Sequence, residues 1–509
     1  MVEPHRSRSQ DAASGTSGGG LELLERLRSR AVGLDVEYTL ATGERSRRVY
    51  LDSTASTLQL EVVRDVLDRF QPYYSNTHSV CHFGAKLSTL EYGWTHEMML
   101  DFVHADPEVY TAFYVGSGTT GGINRVARTL REKRPDRDVV ITSIMEHHSN
   151  DLPHRKHFGK VVHVPAEMAA SSIGRVSLDR IAEALEENAG KVNYVAITGV
   201  SNVTGIVNPI REVARLAHQY GALLVVDAAQ MAAHLPIQMS GNEDPDEDID
   251  VLIFSGHKVY APGSPGVVVT RTELFAGIEP QEVGGGMVED VYLNRYEMVE
   301  KFPDREEAGT PNITGAIGLA ASLYALQQVG MDVIAEDERE LIEYAIGRLK
   351  EVDGIIIYGE SDCSQCERAG AVSFNLRESE HGFTAALLND YFNVSVRNEC
   401  FCAHPYVREM ITEVLSEESD ELSDEEIERL AELHRGMVRA SFGIYNTRAD
   451  VDLLVDALKH ISARLEEYAP LYERQESGDY LHKTYTFDHT SIFSVKGEVD
   501  AWFGGPKGS

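Results

Sequence analysis

From residue 49 the chain alternates segments of helical periodicity with short apolar runs at 112–115, 139–142, 194–198, 223–226, 251–254 and 267–270. The runs are rich in Val, Ile and aromatic residues and only four or five residues long, which suits strands buried on both faces. Helical segments between such runs predict an α/β fold with a mainly parallel sheet and helices on both faces. After about residue 331 the rhythm changes. A helical pattern over 336–352 precedes strand-like runs at 354–358, 371–376, 392–396 and 437–442, which predicts a smaller α+β C-terminal domain. Residues 1–20 are polar and rich in Ser and Gly, and read as a disordered tail. Leucines at helical spacing over 21–34 belong to a segment, 21–48, expected to pack on the small domain. The predicted organisation is thus a large domain over 49–330, a small domain over 331–468, and a C-terminal extension over 469–509 with scattered aromatics and no legible role.

The chemistry gathers where the predicted strands end. The run Val251-Leu-Ile-Phe254 leads into Ser255-Gly-His-Lys258, and Leu223-Leu-Val-Val226 leads into Asp227-Ala-Ala-Gln230. Open α/β sheets bind ligands outside the carboxyl ends of their strands. A lysine and an aspartate on two such ends are what a pyridoxal 5'-phosphate site needs. The amine condenses with the cofactor aldehyde, and the carboxylate partners the ring nitrogen so that the ring accepts electrons. Gly118-Thr-Thr-Gly-Gly122 precedes a helical pattern and offers backbone N–H groups and hydroxyls to a phosphate.

Eight segments carry a resemblance over about 49–454: Tyr50-Leu-Asp-Ser-Thr-Ala-Ser56, Gly118-Thr-Thr120 with Ile123-Asn124, Glu146-His-His-Ser-Asn150, Val200-Ser-Asn-Val-Thr-Gly205, Asp227-Ala-Ala-Gln230, Ser255-Gly-His-Lys258, Glu307-Ala-Gly-Thr-Pro311 and Val438-Arg-Ala-Ser441. In this order they resemble the class V aminotransferase group of fold-type-I pyridoxal phosphate enzymes, in its cysteine desulfurase/selenocysteine lyase branch, which implies seven strands in the mainly parallel sheet of the large domain. The resemblance implies that Lys258 binds the cofactor and acts as general base, that Asp227 holds the ring nitrogen protonated, and that His147 stacks on the ring. It implies that Gln230 and Asn202 reach the phenolic oxygen, and that Thr119, Thr120, Ser255 and His257 hold the phosphate. Thr310 is implied to reach the phosphate of a second subunit, which makes a homodimer the expected assembly. Arg439 and Arg397 are implied to bind the substrate, with Arg439 on its carboxylate.

Cys402 aligns with the desulfurase nucleophile, which takes the sulfur of L-cysteine as a persulfide, releases alanine and passes the sulfur to an acceptor protein. The pattern departs from the family around it. The usual Arg-Thr-Gly is Arg397-Asn-Glu399, Cys400 stands before Cys402, and the stretch from Cys402 to Arg439 is long. Gly121 stands where most relatives carry glutamate. The Cys-Phe-Cys string also resembles the N-terminal domain of molybdenum cofactor sulfurases. The alternative is an inert loop thiol in a relative with aminotransferase, β-eliminating lyase or epimerase chemistry.

Composition narrows the remaining classes. The net charge of −34 argues against a nucleic-acid partner, because phosphate contacts need clustered Lys and Arg. It is the surface expected of a protein soluble in concentrated salt, as in a halophile. No apolar run approaches a membrane span and the polar start has no signal-peptide core, so a cytoplasmic enzyme with no membrane partner is expected. Five cysteines do not suggest a disulfide scaffold, and Cys363-Ser-Gln-Cys366 reads as two surface thiols on a loop, with no metal site. The acidic stretch 416–426 is expected to be a solvated loop and helix start.

Overall fold

In a computed structural model that describes residues 17–418, 429–430 and 433–504, seven strands form the central sheet. They are β1 (Tyr110–Val115), β2 (Val139–Ser143), β3 (Lys160–Val164), β4 (Val192–Thr198), β5 (Leu223–Asp227), β6 (Val251–Ser255) and β7 (Gly266–Arg271). Their order across the sheet is β1-β7-β6-β5-β4-β2-β3. Only β7 runs antiparallel to its neighbours, so the other six share one direction and their carboxyl ends lie on one edge. Every residue of β4 and β6 is buried, which is why these strands read as unbroken apolar runs rather than alternating ones. Strand β3 was not foreseen. It is an edge strand whose Lys160 and His163 dilute the apolar signal, and its first four residues are partly or fully exposed.

Helices α1 (Ser17–Arg28), α2 (Glu61–Phe70), α3 (Phe83–Phe102), α4 (Gly118–Lys133) and α5 (Ile313–Val329) belong to the larger body. Ser17 to Gly20 lie in α1, a correction to the expectation of a disordered tail through residue 20; residues 1–16 fall outside the described residues. Helix α1 packs chiefly on α5 and buries Leu24 in the large core, not the small one. Arg28 also ties it to the small domain through Asp337 at 2.8 Å. The remainder of the 21–48 segment does meet the small domain, where Asn393 donates its side-chain amide to the carbonyl of Ser46.

The small domain carries α6 (Met331–Leu349), β8 (Ile355–Ile357), β9 (Ala371–Leu376), α7 (His381–Phe392), β10 (Arg397–Glu399), α8 (His404–Glu418), β11 (Met437–Ser441) and α9 (Arg448–Ser462). Its antiparallel sheet has the order β8-β9-β11-β10. A second hydrophobic core joins α6, α7, α9, β9 and β11 with Val49, Leu51 and Tyr472, which stand outside the expected bounds of that domain. Conversely Phe401, Ala403, Tyr406 and Met437 pack into the large core. The segment carrying Cys402 is therefore wedged between the two bodies. Helix α8 takes in the beginning of the acidic stretch, and 419–426 lie outside the described residues. The C-terminal extension opens with a hairpin, Tyr472–Arg474 and Tyr480–His482, whose Tyr472 and Tyr480 rings lie 5.4 and 4.9 Å from Phe383 of α7.

Candidate active site

Helix α4 starts directly after β1, and its first turn forms one wall of a cavity of about 420 Å³ at the strand ends. Gly118 has φ +60°, and a Cβ there would stand 2.7 Å from Ser255 Oγ, so this turn tolerates no side chain. The backbone N–H of Thr119 donates to Ser255 Oγ at 2.8 Å, and the two hydroxyl oxygens are 2.7 Å apart. Thr120 Oγ1 lies 2.7 Å from Ser149 Oγ. Thr119, Thr120, Ser255 and His257 all line the cavity. Hydroxyls clustered at a helix N-terminus are a donor set for a phosphate group.

Across the cavity Asp227 ends β5, 3% exposed, with Oδ1 accepting the N–H of Ala229 at 2.9 Å. Burial pushes its carboxyl above the usual carboxylate range, while the Ala229 N–H and the charge of Lys258 work the other way. Lys258 follows β6 in the short turn Gly256–Lys258, and burial brings its amine down to about 8. Asp227 and Cys402 oppose that shift, and Arg439 adds to it. Both members of the pair thus bear a desolvation cost that their mutual attraction does not remove, and a further cation against Asp227 would lower it. His147 is brought down to about 4, first by burial and then by Lys258. It is a neutral ring whose Nδ1 accepts the N–H of Ser149 at 3.1 Å. A buried carboxylate, an amine whose pKa burial lowers, a neutral imidazole and a hydroxyl-lined helix start fit a phosphorylated aromatic aldehyde with a basic ring nitrogen.

Gln230 and Asn202 also line the cavity, with their amides already engaged: Gln230 Nε2 donates to Thr54 O at 3.0 Å, and Asn202 Nδ2 to Phe401 O at 2.8 Å. Arg439 on β11 and Arg397 on β10 stand directly opposite each other in register. Arg439 is 3% exposed; its Nη1 donates to Asn202 O at 2.8 Å and its guanidinium lies 4.6 Å from the centre of the Phe401 ring. Burial, more than any neighbour, brings its pKa down to about 10.

Cys402 is exposed and lines the same cavity. Its carbonyl accepts the N–H of His148 at 2.7 Å. Glu399, Phe401 and Cys402 all adopt positive φ, +95°, +49° and +55°. At 399 the backbone adopts a glycine-like conformation although the residue is glutamate. Cys400 is half-buried, and burial raises its thiol pKa.

Of the residues implied to bind cofactor or substrate or to act in catalysis, Thr310 alone does not line this cavity. It is exposed and its hydroxyl lies 3.3 Å from Asn76 Nδ2. The structure adds Ser149, Thr54 and Phe401 to the lining and Asp52 outside it, in contact with Arg397 and Arg439. Asp52, Thr54 and Ser149 lie within quoted motifs but had been given no role. Cys363 and Cys366 are free, and Cys366 is buried, which corrects the reading of two surface thiols. Among the described residues no single helix is long and apolar enough to cross a membrane.

The class-V aminotransferase family profile matches residues 49–454. A probable cysteine desulfurase of Halalkalibacterium halodurans is 33% identical over 414 residues, covering 81% of this chain and 92% of that protein. A cysteine desulfurase of Klebsiella pneumoniae is 32% identical over 414 residues, covering 81% and 93%. Among solved structures, the cysteine desulfurase of Thermococcus onnurineus in its apo form superposes with a TM-score of 0.69 at 28% identity, covering 86% of this chain and 98% of the other. An Escherichia coli cysteine desulfurase in an S-sulfonic acid form gives 0.67 at 27% identity, with coverage of 87% and 98%.

Proposed function

The chain belongs to the class-V aminotransferase family, and on that footing we propose that it is a pyridoxal phosphate-dependent cysteine desulfurase, converting L-cysteine to L-alanine and carrying the sulfur as a persulfide on Cys402. One observation carries this reading: the Lys258 amine, the Arg439 guanidinium and the Cys402 thiol converge on a single cavity. When bound, the cofactor delocalises the electron pair left on the substrate carbons. Thr119, Thr120, Ser255 and His257 would hold its phosphate, Asp227 its ring nitrogen, and His147 a face of its ring.

Arg439 orients the substrate carboxylate, and its buried setting strengthens that pairing. Lys258, with a pKa near 8, has a substantial neutral fraction around neutrality and takes the substrate α-proton on Nζ. The Cys402 thiolate then forms the new S–S bond as the substrate C–S bond breaks. The pair of that bond stays with carbon, and protonation there yields alanine, so no outside oxidant is needed. Thr310 and Asn76 are placed on an exposed surface, and we infer a homodimer in which Thr310 completes the partner's phosphate site. A cytoplasmic setting and a separate acceptor protein for the sulfur belong to the same reading.

The test is product analysis on purified holoenzyme given L-cysteine. Alanine and sulfane sulfur in equal amounts, with persulfide trapped on Cys402 by mass spectrometry, is the expected result. Pyruvate and ammonia instead would assign β-elimination, and full alanine formation by Cys402→Ala would remove the thiol from the reaction.

A further inference from the structure

Asp52 lies in the motif Tyr50–Ser56 and does not line the cavity, yet it touches both arginines of the substrate end. Arg397 donates Nη2–H to Asp52 Oδ2 at 2.8 Å and Nε–H to Oδ1 at 3.4 Å. Arg439 Nη2 stands 3.6 Å from Oδ1. Arg397 and Arg439 face each other across adjacent strands, where two cations repel. One carboxylate between them offsets one of the two charges and fixes both guanidiniums from behind.

Arg439 still has capacity to spare. Its Nη1 goes to Asn202 O, one face rests on Phe401, and the buried Nε has no hydrogen-bond partner. Arg439 nevertheless lines the cavity, so its guanidinium is placed to receive an anion that enters there. With Asp52 counted, that receptor carries one net positive charge. Without it the same pocket carries two, and any small anion in solution competes for it.

We propose that Asp52 is a positioning residue that sets the substrate-carboxylate receptor at one net positive charge, so that it accepts a single carboxylate in one pose and does not fill with simple anions. This rests on the reading of Arg439 as the substrate's carboxylate partner. Surface acidity does not protect such a pocket in concentrated salt; the internal counter-charge does.

The experiment uses holoenzyme, with chloride and acetate as competitors of L-cysteine turnover and calorimetric titration of L-alanine as a binding readout. Wild-type protein should show weak competition. Asp52→Asn should tighten both inhibition constants by about tenfold or more, the effect of one extra partly buried charge at this range, and should lower kcat as the carboxylate pose loosens. The double variant Asp52→Asn/Arg397→Gln has one net charge again, and chloride competition should return close to wild type. A loss of packing alone would not restore itself in this way. Asp52→Glu serves where the neutral variant does not fold: it keeps the charge and should keep the weak chloride competition, and tight chloride binding in it would overturn the proposal. Unchanged constants in Asp52→Asn, or no return in the double variant, would also overturn it. Wild-type protein that neither turns over L-cysteine nor binds L-alanine would remove the reading of the site and this inference together, whereas an active wild type with an unresponsive Asp52→Asn would remove the inference alone.

Discussion

Asn202 donates its side-chain amide to the carbonyl of Phe401 at 2.8 Å, and so fixes the residue that immediately precedes Cys402. The same residue accepts Arg439 Nη1–H on its own carbonyl. One asparagine thereby couples Arg439 to the loop that carries Cys402. Asn202→Ala leaves the Phe401 carbonyl without this donor at a cost of about 1 kcal/mol, spent largely on the loop. Faster hydrogen exchange over 399–403 and a kcat reduced roughly tenfold are expected, with cofactor absorbance retained. Unchanged exchange in that loop would show that Asn202 does not anchor it.

Glu399 holds φ +95°, a conformation that costs a side chain with a Cβ on the order of 1–2 kcal/mol. Glu399→Gly removes that strain against a smaller loss of chain entropy, and a net stabilisation of about 0.5–1 kcal/mol is expected. Urea denaturation of the two proteins measures it, and a destabilised glycine variant would show that Glu399 makes contacts outweighing its strain.

The depressed Lys258 pKa gives a pH dependence whose direction is fixed. Only the neutral amine attacks an aldehyde, so the rate of cofactor uptake by the cofactor-free protein should rise with pH and level off above about 8. Stopped-flow absorbance at fixed cofactor concentration reads this directly. A midpoint near that of an ordinary lysine would show that burial does not tune this amine.

Asp227→Asn should fold normally, because the amide can still accept the Ala229 N–H, yet lose catalysis. A neutral amide does not stabilise a protonated ring nitrogen, so kcat should fall by roughly two orders of magnitude with KM little changed. Steady-state kinetics decide this, and a variant with wild-type kcat would take Asp227 out of the mechanism.

Glu146 is buried with Ser143 and Asn150 as hydrogen-bond donors, and burial raises its pKa to about 8. A raised folded-state value means that the folded protein binds more protons than the unfolded chain. Its contribution is therefore fully present below about 4.5 and lost as pH rises through about 8. Glu146→Gln keeps the shape without the ionisation, so its stability relative to wild type should improve steadily from pH 4.5 to 8. Parallel stability curves for the two proteins across that range would refute the assignment.

The sheet was legible because its strands are buried on both faces, where burial demands unbroken apolar runs. The half-exposed β3 lacks that demand and left no such run. Lys258, Asp227, Thr119 and Ser255 were legible because each stands at a strand end or a short step beyond one, and those ends share an edge of the sheet. Asp52 was not, because its meaning lies in pairing with arginines 345 and 387 residues further along the chain. Nor does a sequence show that Glu399 adopts a φ that glycine would hold more cheaply. Domain bounds also misled: Val49 and Leu51 face the small core, while Phe401 and Met437 face the large one, since each core takes whichever segment passes it.

The family-profile match ends at residue 454, in the middle of α9. That helix still has Val455, Leu458 and Ile461 to bury in the small core, and beyond it Tyr472 and Tyr480 roof α7. A protein cut at the end of that match would lose the lid of its smaller domain, and with it the footing of the strands that present Arg397 and Arg439. The matched span and the unit that must fold together have different edges here, and anyone dividing this chain into parts should follow the second.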